Sequence, residues 1–437
     1  MAEILDRIGR LDLAAHVRPG DTVVWGQACA EPLTLTERLM EQRAAIGGFR
    51  CFVGAPASGT VRPEHADHVS FLSYCGSGGN RAMHRAGVLD ILPVHYSTLP
   101  DLIESRILPV DVALVQLSPA DAAGRHSLGL ADEYLSAAID RARVVIAEVN
   151  DQVPWTRGTR TLTAADLDVI VHTSRPPAEI LRNEPGAVEE RVADHVADLV
   201  DDGATLQLGL GALPEAIVAR LADRRDLGVH SGLIGDTVAD LMEAGVITGA
   251  RKTVDRGRTV TGALMGSSRL FRYAHRNPAI ELRDTRHTHD PGVLAAQERF
   301  VAINSAIEVD LSGQINAEVA RGSYVGAVGG AIDFLRGAAR SWGGLPIVAL
   351  TSTARSGTAR PGTARSGTAE SGAGNTVSRI VAKLSGPVST PRADAGIIVT
   401  EYGVADLRGR SLDERRARML AIAHPDHRPA LEKECHL

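Results

Sequence analysis

ATLQLGLGALPEAIVARLADR, residues 204–224, is the stretch on which the fold turns. A short apolar run, ATLQLGLG at 204–211, ends in Gly209 and Gly211. ALPEAIVARLADR at 212–224 follows, with apolar residues three and four apart, the spacing that buries one face of a helix. Pro214 suits the first helical turn, where its missing N–H costs nothing. Strand, tight turn, helix is the unit that presents ligands to the carboxyl ends of strands, where helix N-termini offer free N–H groups to anions. PGDTVVWGQACAEPLTLTERL at 19–39 repeats the pattern with the helical segment LTLTERLMEQRA at 33–44. The reading is therefore an α/β chain of two similar open-sheet lobes.

Further Val/Ile-rich runs, DVALVQLS at 111–118, RVVIAEVN at 143–150, PIVALTS at 346–352 and AGIIVTEYG at 395–403, add strands of the continuously apolar kind. Such strands belong to parallel sheets covered on both faces. VEERVADHVADLVDDG at 188–203 reads as the helix that opens the second series. The Pro-containing stretch SRPPAEILRNEPGA before it sets the lobe boundary near 186, giving lobes 1–186 and 187–437. A chain of 437 residues is long enough for two cores.

The net charge of −6 gives no general pull towards nucleic acid or anionic membrane. Cys29, Cys51, Cys75 and Cys435 lie far apart without a C-x-x-C pair, so neither a disulfide framework nor a zinc knuckle is expected. The opening MAEILDRIGRLD lacks the apolar stretch of a secretory signal, and no run approaches a membrane span. A cytoplasmic protein is expected. Residues 354–373, ARSGT-ARPGT-ARSGT-AESGA, form a five-residue repeat too polar to offset its chain entropy, which predicts a loop. Arg355, Arg360 and Arg365 leave open a basic lid over phosphates.

Several residues carry chemistry. Gly209 and Gly211 let backbone approach a ligand closely, or simply make a turn. Gly326, Gly329 and Gly330 cluster before a helical pattern in VGAVGGAIDF, as in loops whose N–H groups hold an anion or oxyanion. Asn304 ends the apolar run FVAIN, so its amide emerges at a strand end, as a donor or as a turn cap. Glu308, Glu318 and Glu401 are the nearest carboxylates. RHTHD, with His287, His289 and Asp290, has the look of metal-ligand spacing, but no metal is expected.

Taken together, GLGALPEAI at 209–217, LGVHSG at 227–232, FVAINSAIEVDLSGQINAE at 300–318, VGAVGGAIDFLRGA at 325–338 and VTEYGVADLRGRSLDERRARMLAIAHPDHR at 399–428 resemble the acetyl-CoA hydrolase/CoA-transferase family. DVALVQLSPADAAGRHSLG at 111–129 and VIAEVNDQVPWTRG at 145–158 extend the likeness to nearly the whole chain. The resemblance implies a coenzyme A thioester as substrate, a site in the cleft between the lobes, a homo-oligomer, and Asn304 beside the reacting carbonyl. It also implies a glutamate nucleophile after the His-Ser or His-Thr pair, which forms an anhydride and then a glutamyl-CoA thioester. Here the run is Gly228, Val229, His230, Ser231, Gly232, so glycine stands at the nucleophile's position.

Three readings follow. Acyl-CoA-dependent transfer without the glutamyl-CoA intermediate comes first, with His230 as base and Ser231 orienting it or the acceptor, a carboxylate, amine, alcohol or water. A thioesterase or direct acyltransferase is the second. A non-catalytic CoA-binding subunit is the third.

Overall fold

The structure is a computed structural model that describes residues 2–5, 8–209, 211–355 and 376–434. Its centre is a pair of sheets. The first has eight strands, all parallel, in the order Glu3–Leu5, Val169–Thr173, Val144–Asn150, Val112–Leu117, Thr22–Trp25, Phe49–Phe52, Val69–Ser73 and Leu89–Ile91. The Val112–Leu117 and Val144–Asn150 strands are buried along their whole lengths. That is the reason for their unbroken apolar sequences: one face packs in a core with Leu99, Ile103 and Ala138, the other in a core with Leu35, Leu39 and Met40.

The second sheet has nine strands, in the order Gly403–Asp406, Ile397–Thr400, Leu345–Ala349, Phe300–Ser305, Thr205–Gln207, Gly228–Ile234, Thr259–Leu264, Ile280–Leu282 and Arg157–Gly158. Only the Gly403–Asp406 strand is antiparallel to its neighbour. Seven strands of each sheet follow the same spatial order when numbered along the chain, 7-6-5-1-2-3-4. The echo between 19–39 and 204–224 is thus the sequence trace of a repeated topology. In the second sheet the order reverses between Thr205–Gln207 and Phe300–Ser305, and such a switch point opens a crevice at the strands' carboxyl ends.

The helix Leu33–Ile46 buries Leu35 and Leu39 against the first sheet, each contributing roughly 1.5–3 kcal/mol. It ends at Gly47, whose φ of +90° suits glycine. In the second lobe the helix Ala212–Ala219 is shorter than its sequence pattern and begins at Gly211, with φ +120°. The helix Ala187–Ala197 opens the second series as expected.

The two sheets are laced together. Arg157–Gly158, from the first half of the sequence, pairs with Ile280–Leu282 at the edge of the second sheet. Bridges join Cys75 to Ala327, His95 to Gly329, Ala131 to Ala263 and Glu133 to Asp284. One apolar core contains Ala28, Cys29, Leu130 and Val153 together with the second sheet's Leu206, Val229 and Ala263.

The expectation of a loop over 354–373 is corrected at its start. Ala354 and Arg355 belong to the strand Thr353–Arg355, which pairs antiparallel with Thr376–Ser378. The rest of the repeat, with Arg360 and Arg365, lies outside the described residues, as does Cys435.

Candidate active site at the seam between the sheets

Gly232 is the fifth residue of the strand Gly228–Ile234 and is half-buried. A Cβ there would lie 3.1 Å from His289 Cε1, 3.4 Å from His289 Nε2 and 3.7 Å from Phe334 Cζ. A Cβ on Gly330 would come within 2.5 Å of the same Nε2, so only glycine fits. The space beside Gly232 is therefore not vacant: the His289 imidazole occupies the corner between Gly232 and the 326–330 loop.

His289 is held on three sides. Its ring packs on Phe334 at 4.4 Å between centroids and on Tyr96 at 5.3 Å. Its Nδ1 lies 2.9 Å from the Thr288 hydroxyl oxygen. That hydroxyl donates its own proton to the Asp284 carbonyl at 3.1 Å, so its oxygen accepts from Nδ1–H. The Nε2 lone pair then faces the corner and makes no hydrogen bond among the described residues. Burial lowers the His289 pKa to about 3, which keeps the ring neutral.

His230 and Ser231 sit deeper. Side chains on a strand alternate, so His230 shares Gly232's face and Ser231 takes the other. Both are fully buried. His230 Nε2 lies 3.2 Å from the Thr288 carbonyl, and burial first, then the charge on Lys252, lowers its pKa to about 3. Ser231 Oγ donates to Leu208 O and accepts from Leu208 N, both at 3.2 Å, which fixes the end of the neighbouring strand. Neither side chain reaches the corner that His289 fills.

Asn304 stands at the switch point. Its Nδ2 donates to Gln207 Oε1 at 2.9 Å, and Gln207 Nε2 lies 3.4 Å from its Oδ1, so two strand ends are clasped by one amide pair. Gly209 lies on the same rim, 4.0 Å from the Ile303 carbonyl when given a Cβ.

The 326–330 loop is fastened to the first lobe. Gly76 N donates to Gly326 O at 2.7 Å and Tyr96 N to Gly329 O at 3.0 Å. Gly326 has no room for a side chain because a Cβ would strike the Ala317 carbonyl at 1.9 Å. Gly329 needs its φ of +57°. Gly330 then caps the helix Ala331–Arg340, whose first-turn N–H groups have no partner within the helix.

The three carboxylates singled out in the sequence are already engaged. Glu308 accepts from Ser385 N at 2.6 Å and Asn316 Nδ2 at 3.0 Å. Glu318 accepts from Ser389 Oγ at 2.7 Å and Tyr324 Oη at 2.9 Å. Glu401 accepts from Ser352 Oγ at 2.6 Å and N at 2.8 Å. The RHTHD residues also diverge: His289 turns to Gly232, His287 Nε2 to Asp255 Oδ2 at 2.8 Å, and Asp290 caps the helix Pro291–Ala296 by accepting from Val293 N at 2.7 Å.

Beneath His289 lies a buried polar group that sequence reading overlooked. Gln27 Nε2 donates to Glu133 Oε1 and Tyr96 Oη, both at 2.9 Å, and Gln27 Oε1 accepts from Tyr74 Oη at 2.8 Å. Burial raises the Glu133 pKa to about 7, and its Oε2 has no hydrogen-bond partner among the described residues. Glu133 also holds φ +47°, a strained value for a non-glycine residue. The one sequence signal was the acidic pair in ADEYL at 131–135, set in an otherwise apolar run. A separate cavity of about 500 Å³, lined in part by Trp155, Phe271, Arg272 and Arg276, contains none of these residues.

Residues 8–181 match the acetyl-CoA hydrolase/transferase N-terminal domain and residues 266–435 match its C-terminal domain. The chain is 35% identical over 416 residues to the 4-hydroxybutyrate coenzyme A transferase of Clostridium kluyveri, covering 94% of this chain and 93% of that one. The crystal structure of RipA from Yersinia pestis superposes with a TM-score of 0.90 at 32% identity, covering 99% of this chain and 97% of that one. For the 4-hydroxybutyrate CoA-transferase of Porphyromonas gingivalis the TM-score is 0.78 at 33% identity, with the same coverage. The chain belongs to the acetyl-CoA hydrolase/CoA-transferase family. It is an enzyme of that type, and the family's substrates are CoA thioesters. Among the described residues no helix is long and apolar enough to cross a membrane.

Proposed function

We propose that this enzyme transfers the acyl group of a CoA thioester directly to a small nucleophile, without a glutamyl-CoA intermediate. The observation that carries the reading is the corner at Gly232, where the resemblance sets a nucleophilic glutamate and this chain sets the Nε2 lone pair of His289. The acceptor's X–H bond meets Nε2 as X attacks the thioester carbon. The C–S bond then breaks, and the proton on Nε2 passes to the departing thiolate, releasing CoA as the thiol. Asn304, with one Nδ2 proton spent on Gln207 and one to spare, and the 326–330 loop with the helix start behind it, supply donors for the tetrahedral oxyanion. Water as acceptor gives a thioesterase; an amine or alcohol, each of which carries the proton that Nε2 relays, gives an acyltransferase.

The test is a trap. Incubation with acyl-CoA followed by borohydride or hydroxylamine and mass mapping is expected to leave no CoA adduct on any glutamate, and transfer should show ternary-complex kinetics. A CoA adduct on Glu133, Glu308, Glu318 or Glu401 would overturn the direct route.

Asn304→Ala is expected to slow the chemical step by ~10²-fold, the usual effect of deleting one oxyanion donor. Single-turnover rates at unchanged melting temperature provide the measurement. An unaltered rate would leave Asn304 only its clasp on Gln207.

A further inference from the structure

Two residues along the strand from Gly232, on the same face, lies a cluster that the proposed reaction does not use. His230 Nδ1, Asp255 Oδ2 and His287 Nε2 lie within 4.8 Å of one another, and come from the strand Gly228–Ile234, the turn before Thr259, and the short helix Thr285–Thr288. We propose that these three side chains form a binding site for a divalent transition metal, zinc by donor type, with water completing the shell. The inference stands apart from the proposed acyl transfer.

The tautomer of His230 carries the argument. Its Nε2 faces the Thr288 carbonyl at 3.2 Å, and a carbonyl only accepts, so Nε2 holds the proton. Nδ1 is left with a bare lone pair. That atom is buried, has no hydrogen-bond partner among the described residues, and lies 4.0 Å from the Asp255 carboxylate oxygen. A lone pair aimed at an anionic oxygen is unfavourable unless a cation sits between them. A ligating histidine whose other nitrogen donates to a backbone carbonyl is also the usual arrangement at zinc. His287 Nε2–H donates to Asp255 Oδ2 at 2.8 Å, so an ion binding here displaces that proton to solvent and takes both atoms as ligands. Two imidazoles and a carboxylate with one open position make a set that zinc accepts.

Of the two neighbouring cations, one is held by backbone carbonyls and the other is shared between Glu281 and Asp255. Lys252 Nζ donates to the carbonyls of Val229 at 2.9 Å and Arg258 at 2.7 Å. Arg283 Nε lies 2.6 Å from Glu281 Oε1, and its NH2 is 3.6 Å from the other Asp255 oxygen. Their charge weakens the site without displacing Oδ2. The His287 side chain is 23% exposed and that of Asp255 14%, so an ion enters from solvent while His230 waits at the bottom. Bound there, it would brace the short helix that carries Thr288 into His289.

The full-length chain, equilibrated with Zn²⁺ or Co²⁺ and desalted, is expected to retain about one ion per chain. Cobalt should show the strong visible bands of four-coordinate geometry. Asp255→Asn and His287→Ala, checked for folding by circular dichroism, should each drop retention below about a tenth of an ion, while the exposed-site control His172→Ala keeps it. Wild type that retains no ion, or retention and spectrum unchanged in Asp255→Asn and His287→Ala, overturns the assignment. None of these readouts requires acyl-CoA, so their failure and that of the proposed reaction are separate events.

Discussion

Replacing His289 with alanine is expected to lower the single-turnover rate of acyl transfer by ~10²–10⁴-fold, the range that a positioned general base contributes. Acyl-CoA binding should survive, because the ring's packing partners Phe334 and Tyr96 remain. The pH dependence separates this base from an ordinary solvated histidine. Burial favours the neutral ring and lowers its pKa to about 3. The base form is thus present at neutral pH and is lost only as pH falls towards that value. The kcat/KM profile should therefore have no His289 limb near 6.5. A base this weak in the resting enzyme gains strength as the oxyanion forms beside it, since the nearby negative charge favours imidazolium. Glu133, raised to about 7, is the group to suspect behind any limb that persists in His289→Ala. Wild-type turnover in His289→Ala would remove the residue from the chemistry.

Gly232→Glu has the second large effect. Gly232 is not among the positive-φ glycines, so the backbone accepts a side chain without strain. The obstacle is His289, whose Cε1 and Nε2 would lie 3.1 and 3.4 Å from the new Cβ. The single variant should lose the native transfer by at least ~10²-fold because its carboxylate displaces the base. Gly232→Glu combined with His289→Ala makes room, and should form a trappable glutamyl-CoA adduct and exchange CoA between acetyl-CoA and a free carboxylic acid. Native activity retained in the single variant would show that position 232 lies away from the reacting thioester.

Strands were legible wherever a run was buried on both faces. RVVIAEVN and DVALVQLS fall on their strands to within a residue at each end, because nothing but a covered parallel sheet needs so continuous an apolar run. ATLQLGLG was overlong: only Thr205–Gln207 pairs, since the chain must turn through Gly209 and Gly211 into a helix. The site was harder to read. RHTHD showed two histidines two apart, but the short helix ends at Thr288 and sends the rings different ways, one to Asp255 and one to Gly232. Glu308, Glu318 and Glu401 seemed available only because their hydroxyl and amide partners, such as Ser385 and Ser352, are distant in sequence. The Gln27, Tyr74, Tyr96 and Glu133 group comes from four segments with no common motif, so only the folded chain assembles it.

The small strand Arg157–Gly158 has a larger meaning than its length suggests. The polypeptide leaves the first sheet to place it beside Ile280–Leu282, returns to lay Val169–Thr173, and only then departs for good. A joint stitched twice does not swing like a door. Parting the two sheets would strip that strand from its neighbour and break the bridges at Cys75, His95, Ala131 and Glu133 as well. The crevice at the strands' carboxyl ends is therefore shaped in advance, and any motion that swung one sheet away from the other would first have to break these pairings.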